Sequence, residues 1–333
     1  MVKFGRSRLK TLFDSFRKQK IAVVGDLMLD RYMWGSVQRI SPEAPVPVVE
    51  VSSETTKLGG AANVANNIYS LGAEPIPIGI VGADPYGEDL RALFESSGLR
   101  TDGIITDPSR PTTIKTRIIA HDQHVVRADV ESKADLSVEA ERKLLAVLRK
   151  VISDIDGVIL EDYNKGVLTT DIIRKIIALC TKNHRFIAVD PKFRNFFAYQ
   201  GVDLFKPNMR ETEQALGAKI ETDEDLFASV RELFFRLKCR AVLLTRGEKG
   251  MALFASEHEA PILVPTRAKK IHDVSGAGDT VISTLVVAKL AGASLIEAAT
   301  MANYAAGIVC GEVGVVPIDH ERLFEELLED SVH

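Results

Sequence analysis

His272-Asp273-Val274-Ser275-Gly276-Ala277-Gly278-Asp279-Thr280-Val281-Ile282-Ser283-Thr284-Leu285-Val286 changes character halfway along. Residues 273–279 form a small glycine-rich turn, and from Thr280 onward the chain is apolar and reads as a buried helix. Gly276, Ala277 and Gly278 let several backbone N–H groups point the same way. At a helix N-terminus such groups, with the helix dipole, attract an anion. A carboxylate at that spot, Asp279, would repel a phosphate. It makes chemical sense as the base that takes a proton from a hydroxyl attacking a phosphate held beside it. It also suits an ordinary helix cap after a glycine-rich loop.

Working outward, hydrophobic periodicity alternates between strand and helix. Residues 21–24 are an apolar strand ending at Gly25-Asp26, where an α/β fold starts to build its site, and Asp30 lies four residues further on. The alternation breaks over residues 31–51. Pro42, Pro45 and Pro47 exclude a helix and a central strand there, leaving two short edge strands and a rigid turn. Residues 112–119 and 125–130 read as two more strands hinged at His121-Asp122-Gln123-His124. Together these predict a small β lid with segments at about 31–52 and 110–131. Gly59-Gly60-Ala61-Ala62-Asn63 opens a helix, either as a capped helix packed on a sheet or as a place where backbone and Asn63 approach a ligand. Regular βα alternation through the rest predicts a mostly parallel central sheet with helices on both faces, in one domain carrying the lid.

Polar clusters fall at the C-terminal ends of the expected strands: 26–30, 162–165, 190–192, 208–211, 245–247 and 273–279. Ligands of open parallel sheets bind there. Several clusters also read as local structure. Asn208 and Glu211 have the spacing of a helix-capping pair, and residues 245–250 have the composition of a hairpin turn. Lys115 and Arg117 share one face of a strand, as a solvated face or as a cation cluster for a sugar phosphate.

The 333 residues are 46% hydrophobic, enough for a sizeable core. A net charge of −4 argues against a general nucleic-acid surface or a polybasic membrane patch. No apolar h-region follows the basic residues 1–8, and the most apolar run, 280–295, is interrupted by Lys289 and too short for a bilayer. Cys180, Cys239 and Cys310 form no CxxC and are odd in number, as expected of reduced, buried thiols in a cytoplasmic protein.

Residues 273–279, Gly59-Gly60-Ala61-Ala62-Asn63 and Asn208-x-x-Glu211 resemble the signatures of the ribokinase-like sugar kinases, the phosphofructokinase-B type. The resemblance implies a ribokinase-like α/β fold and an ATP-dependent phosphotransferase. In it Asp279 is the catalytic base, and the amides of Gly276, Ala277 and Gly278 form the anion hole. Asp30, Gly59, Gly60 and Asn63 face the sugar. Lys192, Thr245, Arg246, Gly247, Gly276, Gly278 and Asn303 lie on the ATP side, and Asn208 and Glu211 place Mg²⁺, largely through water. The implied ligands are a small sugar phosphate and ATP, with no nucleic acid or membrane partner, in a homodimer formed through the lid.

A longer set of stretches, including 25–32, 39–47, 162–168, 190–192, 206–208 and 272–281, resembles one branch of that family, kinases of heptose 7-phosphates. This implies transfer to O1 in ADP-heptose and lipopolysaccharide inner-core biosynthesis, with some of Lys115, Arg117, Arg127, Lys165 and Lys192 anchoring the 7-phosphate. Many relatives carry a nucleotidyltransferase domain with a His-x-Gly-His motif. None occurs in this sequence, so kinase chemistry alone is expected, with adenylyl transfer on another protein. Two alternatives remain open: a kinase of another sugar or sugar phosphate, and a non-catalytic nucleotide-binding regulator. A dinucleotide-dependent dehydrogenase fits poorly, because no G-x-G-x-x-G follows the first strand.

Overall fold

Short apolar runs bounded by polar turns form the central strands, and longer runs of period 3.6 form the helices that cover them. The computed structural model describes residues 2–121, 123–258, 260–267 and 273–332, with side chains through Asp330. Asp122 of the expected hinge and His272 of the opening stretch lie outside the described residues. The chain runs α1 (Arg6–Phe16), β1 (Lys20–Gly25), β2 (Leu27–Ile40), β3 (Pro47–Gly60), α2 (Ala61–Ser70), β4 (Glu74–Val81), α3 (Pro85–Ser96) and β5 (Ile104–Thr106). Next come β6 (Thr113–Ala120), β7 (Gln123–Val130), α4 (Val138–Val151), β8 (Gly157–Glu161), α5 (Thr170–Lys182), β9 (Phe186–Asp190), β10 (Leu204–Phe205), α6 (Met209–Leu216) and α7 (Asp223–Leu237). It closes with β11 (Ala241–Thr245), β12 (Met251–Phe254), β13 (Ile262–Val264), α8 (Ala277–Leu290), α9 (Leu295–Val309) and α10 (His320–Val332).

The main sheet has the order β13-β12-β11-β10-β9-β8-β1-β4-β5. It is parallel from β11 to β5; β12 runs against β11, and β13, antiparallel to β12, returns to the common direction. Alternate residues feed two cores. Val23, Ile159, Ala188 and Leu243 pack with α1, α2, α8, α9 and α10. Val24, Val158, Leu160, Val189 and Val242 pack with α4, α5 and α7. Burial on both faces explains why these strands read as continuous apolar runs rather than alternating ones. The chain leaves β1 toward β4 and returns on the other side as β8. The switch point therefore lies between the ends of β1 and β8, beside Asp26 and Glu161.

The second sheet, β3-β2-β6-β7, is larger than the sequence suggested. β2 and β3 have 14 residues each and form one long hairpin, not two short edge strands. Asp30 consequently sits inside β2, and Gly59 and Gly60 end β3, so these are strand rather than loop residues. The polar run did not stop the strand because Asp30 is neutralised within the sheet by an ion pair with Arg117 of β6. The proline cluster occupies the turn, closed by Ser41 N–H donating to the Val46 carbonyl at 2.9 Å. The short β5 and the C-terminal α10 were not anticipated. α10 packs Leu323 and Leu327 into the first core and sets Phe324 edge-on to Phe13. No helix among the described residues is long and apolar enough to cross a membrane.

Candidate active site

α8 has no polar stripe: residues 279–288 are buried all round. Such a helix belongs in a core, so its first turn is carried inside the molecule to the ends of β8 and β9. Gly276 caps it with φ +79°, a left-handed conformation that favours glycine. A Cβ there would also lie 2.9 Å from Asn63 Nδ2. The first intrahelical bond is Thr280 N–H to Gly276 O, so the N–H groups of Gly278 and Asp279 precede the ladder. The anion-hole expectation needs one correction. Ala277 N–H donates to the Val274 carbonyl at 3.2 Å, which leaves Gly278 rather than Ala277 as the open donor of that pair.

Asp279 is 3% exposed. Its Oδ2 accepts from Asn63 Nδ2 and its Oδ1 from the Tyr163 hydroxyl, each at 2.8 Å. Burial, reinforced by Asp190, pushes the carboxyl up to about 6, although Asn63, Tyr163 and Lys206 act in the opposite sense. Asn63 is held by Asn67, whose Nδ2 donates to Asn63 Oδ1 at 3.1 Å. Asn63 thus orients Asp279, a role beside the sugar contact that the sequence suggested.

Tyr163 is delivered by Asp26. Both carboxylate oxygens of Asp26 accept backbone N–H groups of the loop after β8: Tyr163 at 2.7 Å, Lys165 at 3.1 Å and Val167 at 3.3 Å. Gly60 closes the other side with φ +56°. A Cβ there would meet the Asp26 carbonyl at 2.6 Å, so glycine is required where β3 turns into α2. Asp30 is buried and ion-paired with Arg117, whose guanidinium lies 5.2 Å from the Tyr32 ring centroid.

Under the turn lies a buried charge cluster. Carboxylate oxygens of Glu161, Asp190 and Asp279 come within 4.8 Å of one another. Lys206 Nζ pairs with Asp190 at 2.7 Å, and a Cβ on Gly278 would sit 3.6 Å from that ammonium. Glu161 is fully buried, and neither of its oxygens has a hydrogen-bond partner among the described residues. Burial, then Asp190 and Asp279, holds its carboxyl well above the usual range. Tyr163 and Lys206 were missed as single residues. Tyr163 lay within the polar cluster 162–165 and Lys206 just before the one at 208–211, but their partners are remote in the chain.

Where the sequence resemblance put ATP, a cleft of about 550 Å³ gathers Asn208, Thr245, Arg246, Gly247, Gly278 and Asn303. Residues 247–249 make a 3₁₀ turn joining the antiparallel β11 and β12, so hairpin and cleft wall are the same feature. Asn303 Nδ2 donates to the Pro265 carbonyl at 2.7 Å. Lys192 and Glu211 do not line the cleft. Glu211 Oε2 accepts from Asn208 N–H at 2.8 Å in a capping box, while its Oε1 takes Lys192 Nζ at 2.6 Å. Among the expected cations, Lys115 and Lys165 meet at Glu131. Arg127 is exposed and paired with Asp129 of its own strand.

The model of the pfkB family carbohydrate kinases matches residues 18–321. The chain belongs to that family. The family's members are described as carbohydrate kinases. Among relatives, it is 42% identical over 309 residues to the bifunctional protein HldE of Pelobacter propionicus, covering 93% of this chain and 63% of that protein. The HldE of Helicobacter pylori J99 is 44% identical over 296 residues, covering 89% and 64%. The chain thus spans somewhat under two thirds of these relatives' length. The fold matches Arabidopsis thaliana ribokinase complexed with ribose and ATP, with a TM-score of 0.74, 22% identity and coverage of 94% and 99%. It also matches Escherichia coli phosphofructokinase-2 in complex with fructose-6-phosphate, with a TM-score of 0.76, 18% identity and coverage of 95% and 99%.

Proposed function

We propose that this kinase transfers the γ-phosphoryl group of ATP to O1 of D-glycero-D-manno-heptose 7-phosphate, giving the 1,7-bisphosphate and ADP for ADP-heptose and lipopolysaccharide inner-core biosynthesis. The observation that carries the transfer chemistry is the buried Asp279 carboxylate, fixed by Asn63 and Tyr163 beside an open helix N-terminus. The branch-specific stretches at 25–32, 39–47 and 162–168 support the sugar. Asp279 takes the O1 proton as O1 bonds to the γ-phosphorus and the bond to ADP breaks. The Gly278 amide and the Lys206 ammonium face the charge that moves onto the transferred group. Asp30, Gly59, Gly60 and Asn63 border the sugar, and Lys115 and Lys165 take its 7-phosphate.

The residues beneath the turn fit Mg²⁺. Their donors are all carboxylate oxygens, which suit a hard cation, and Glu161 brings two buried oxygens that have no hydrogen-bond partner among the described residues. Glu161 and Asp190 would hold the ion, with Asn208 and Glu211 acting through water because the Glu211 oxygens are already engaged. When bound, Mg²⁺ offsets the charge of the nucleotide phosphates.

A homodimer through the second sheet belongs to this reading. That sheet exposes Val51, Val125, Val126 and Val130. Light scattering at micromolar concentration is expected to give twice the 36.5 kDa chain mass, and a monomer mass would remove the dimer. The substrate is tested by ADP release with Mg-ATP across heptose 7-phosphate, unphosphorylated heptose, fructose 6-phosphate and ribose. Heptose 7-phosphate should exceed the unphosphorylated sugar by about 10²-fold or more in kcat/KM, because only the phosphate forms charge-assisted bonds with Lys115 and Lys165. Preference for a hexose or pentose would replace the substrate. Binding of ATP without turnover of any sugar would favour the non-catalytic reading.

A further inference from the structure

Lys115 and Lys165 come from different sheets. Lys115 lies on β6, opposite Asp30 of β2 and Asp129 of β7. Lys165 lies in the loop after β8, anchored by its N–H to Asp26 and two residues from the Tyr163 that touches Asp279. One carboxylate reaches both. Glu131 Oε2 pairs with Lys165 Nζ and stands 3.8 Å from Lys115 Nζ, while its Oε1 is 3.4 Å from the exposed Lys133. The side chains of Glu131, Lys115 and Lys165 are only 14%, 13% and 11% exposed. Burial and the adjacent Lys165 charge keep the Lys115 ammonium below its ordinary value, against the pull of Asp129 and Glu131. Without Glu131, Lys115 would keep Asp129, which also serves Arg127, and Lys165 would have no carboxylate partner among the described residues.

We propose that Glu131 is a resident carboxylate in the sugar-phosphate subsite, and that the substrate phosphate binds by displacing it from Lys115 and Lys165. This rests on the reading of those lysines as ligands of the 7-phosphate. A carboxylate is a single negative charge with two oxygens. A phosphate dianion brings more charge and three oxygens, enough to satisfy both lysines. Glu131 directly follows β7, in a segment without regular secondary structure before α4, so its withdrawal breaks no ladder. An unphosphorylated sugar leaves the lysines neutralised by Glu131 and gains nothing from them. Glu131 therefore makes the subsite respond to a dianion while sparing the empty enzyme two uncompensated buried cations.

The test uses inorganic phosphate as a competitive inhibitor against heptose 7-phosphate. In Glu131→Gln its inhibition constant is expected to fall about tenfold, with a fall in KM for heptose 7-phosphate larger than any change in kcat. KM for unphosphorylated heptose should not improve in parallel. Lys115→Met and Lys165→Met should each weaken phosphate inhibition. An inhibition constant in Glu131→Gln that is unchanged or higher overturns the displacement. If it comes with lysine variants that do weaken phosphate, the subsite reading survives alone. Lysine variants that bind phosphate as before remove the subsite itself. Should Glu131→Gln fail to fold, Glu131→Asp, which keeps the charge but retreats by one methylene, should tighten phosphate in the same direction, and looser binding there overturns the proposal.

Discussion

Asp279→Asn is expected to lower kcat by about 10²–10⁴-fold while ATP binding persists, the range for loss of a positioned general base. Asparagine matches the carboxylate in size but cannot accept a proton. Only one of its two terminal atoms can accept a hydrogen bond, so Asn63 or Tyr163 loses its acceptor and a fall in Tm accompanies the loss of rate. The same carboxyl sets the acid limb of the wild-type profile. Burial raises it to about 6, and the base works only when deprotonated. Activity is therefore complete above that value and falls about tenfold per pH unit once the pH drops below it. A kcat within tenfold of wild type, or an acid limb that survives in the variant, would contradict the assignment.

Lys206→Met is expected to lower kcat by about 10²–10³-fold, comparable to removing one donor that faces developing charge. It should also cost stability. Lys206 is the close cationic partner of Asp190 in a buried pair, with both side chains about 5% exposed, and Glu161 and Asp279 stand alongside. Breaking a buried pair by removing one partner costs about 3–5 kcal/mol because the other charge stays behind. Kinetics and Tm therefore separate the two roles. A large fall in Tm with kcat retained, measured well below the transition, would make Lys206 structural only.

The turn at 273–279 was legible because its chemistry is local: glycines, a carboxylate and an apolar run adjoin in sequence. The parallel sheet was legible because burial on both faces leaves uninterrupted apolar strands. Three features were not legible, for a common reason. Asn63 and Tyr163 act on Asp279 across 216 and 116 residues, and neither spacing has a sequence signature. Lys206 looked like one lysine among many until β9 and β10 brought it to Asp190. β2 and β3 were shortened in the reading because the alternation breaks over 31–51 around Pro42, Pro45 and Pro47. The prolines instead gather at the hairpin's turn, and ion pairs of Asp30 with Arg117 and of Arg31 with Glu54 hold polar residues within the strand. At Asn208 and Glu211, one pattern satisfied a capping box, and only the site around it gives the pair a further use.

The most direct measurement is the ³¹P NMR spectrum of the product formed from heptose 7-phosphate and Mg-ATP. The predicted result is two phosphorus signals on one sugar, the original C7 monoester and a second whose coupling places it on the anomeric carbon, with one ADP released per sugar. A second phosphate on any other carbon, or ADP formed without a new sugar phosphate, would contradict the geometry proposed for Asp279 and O1.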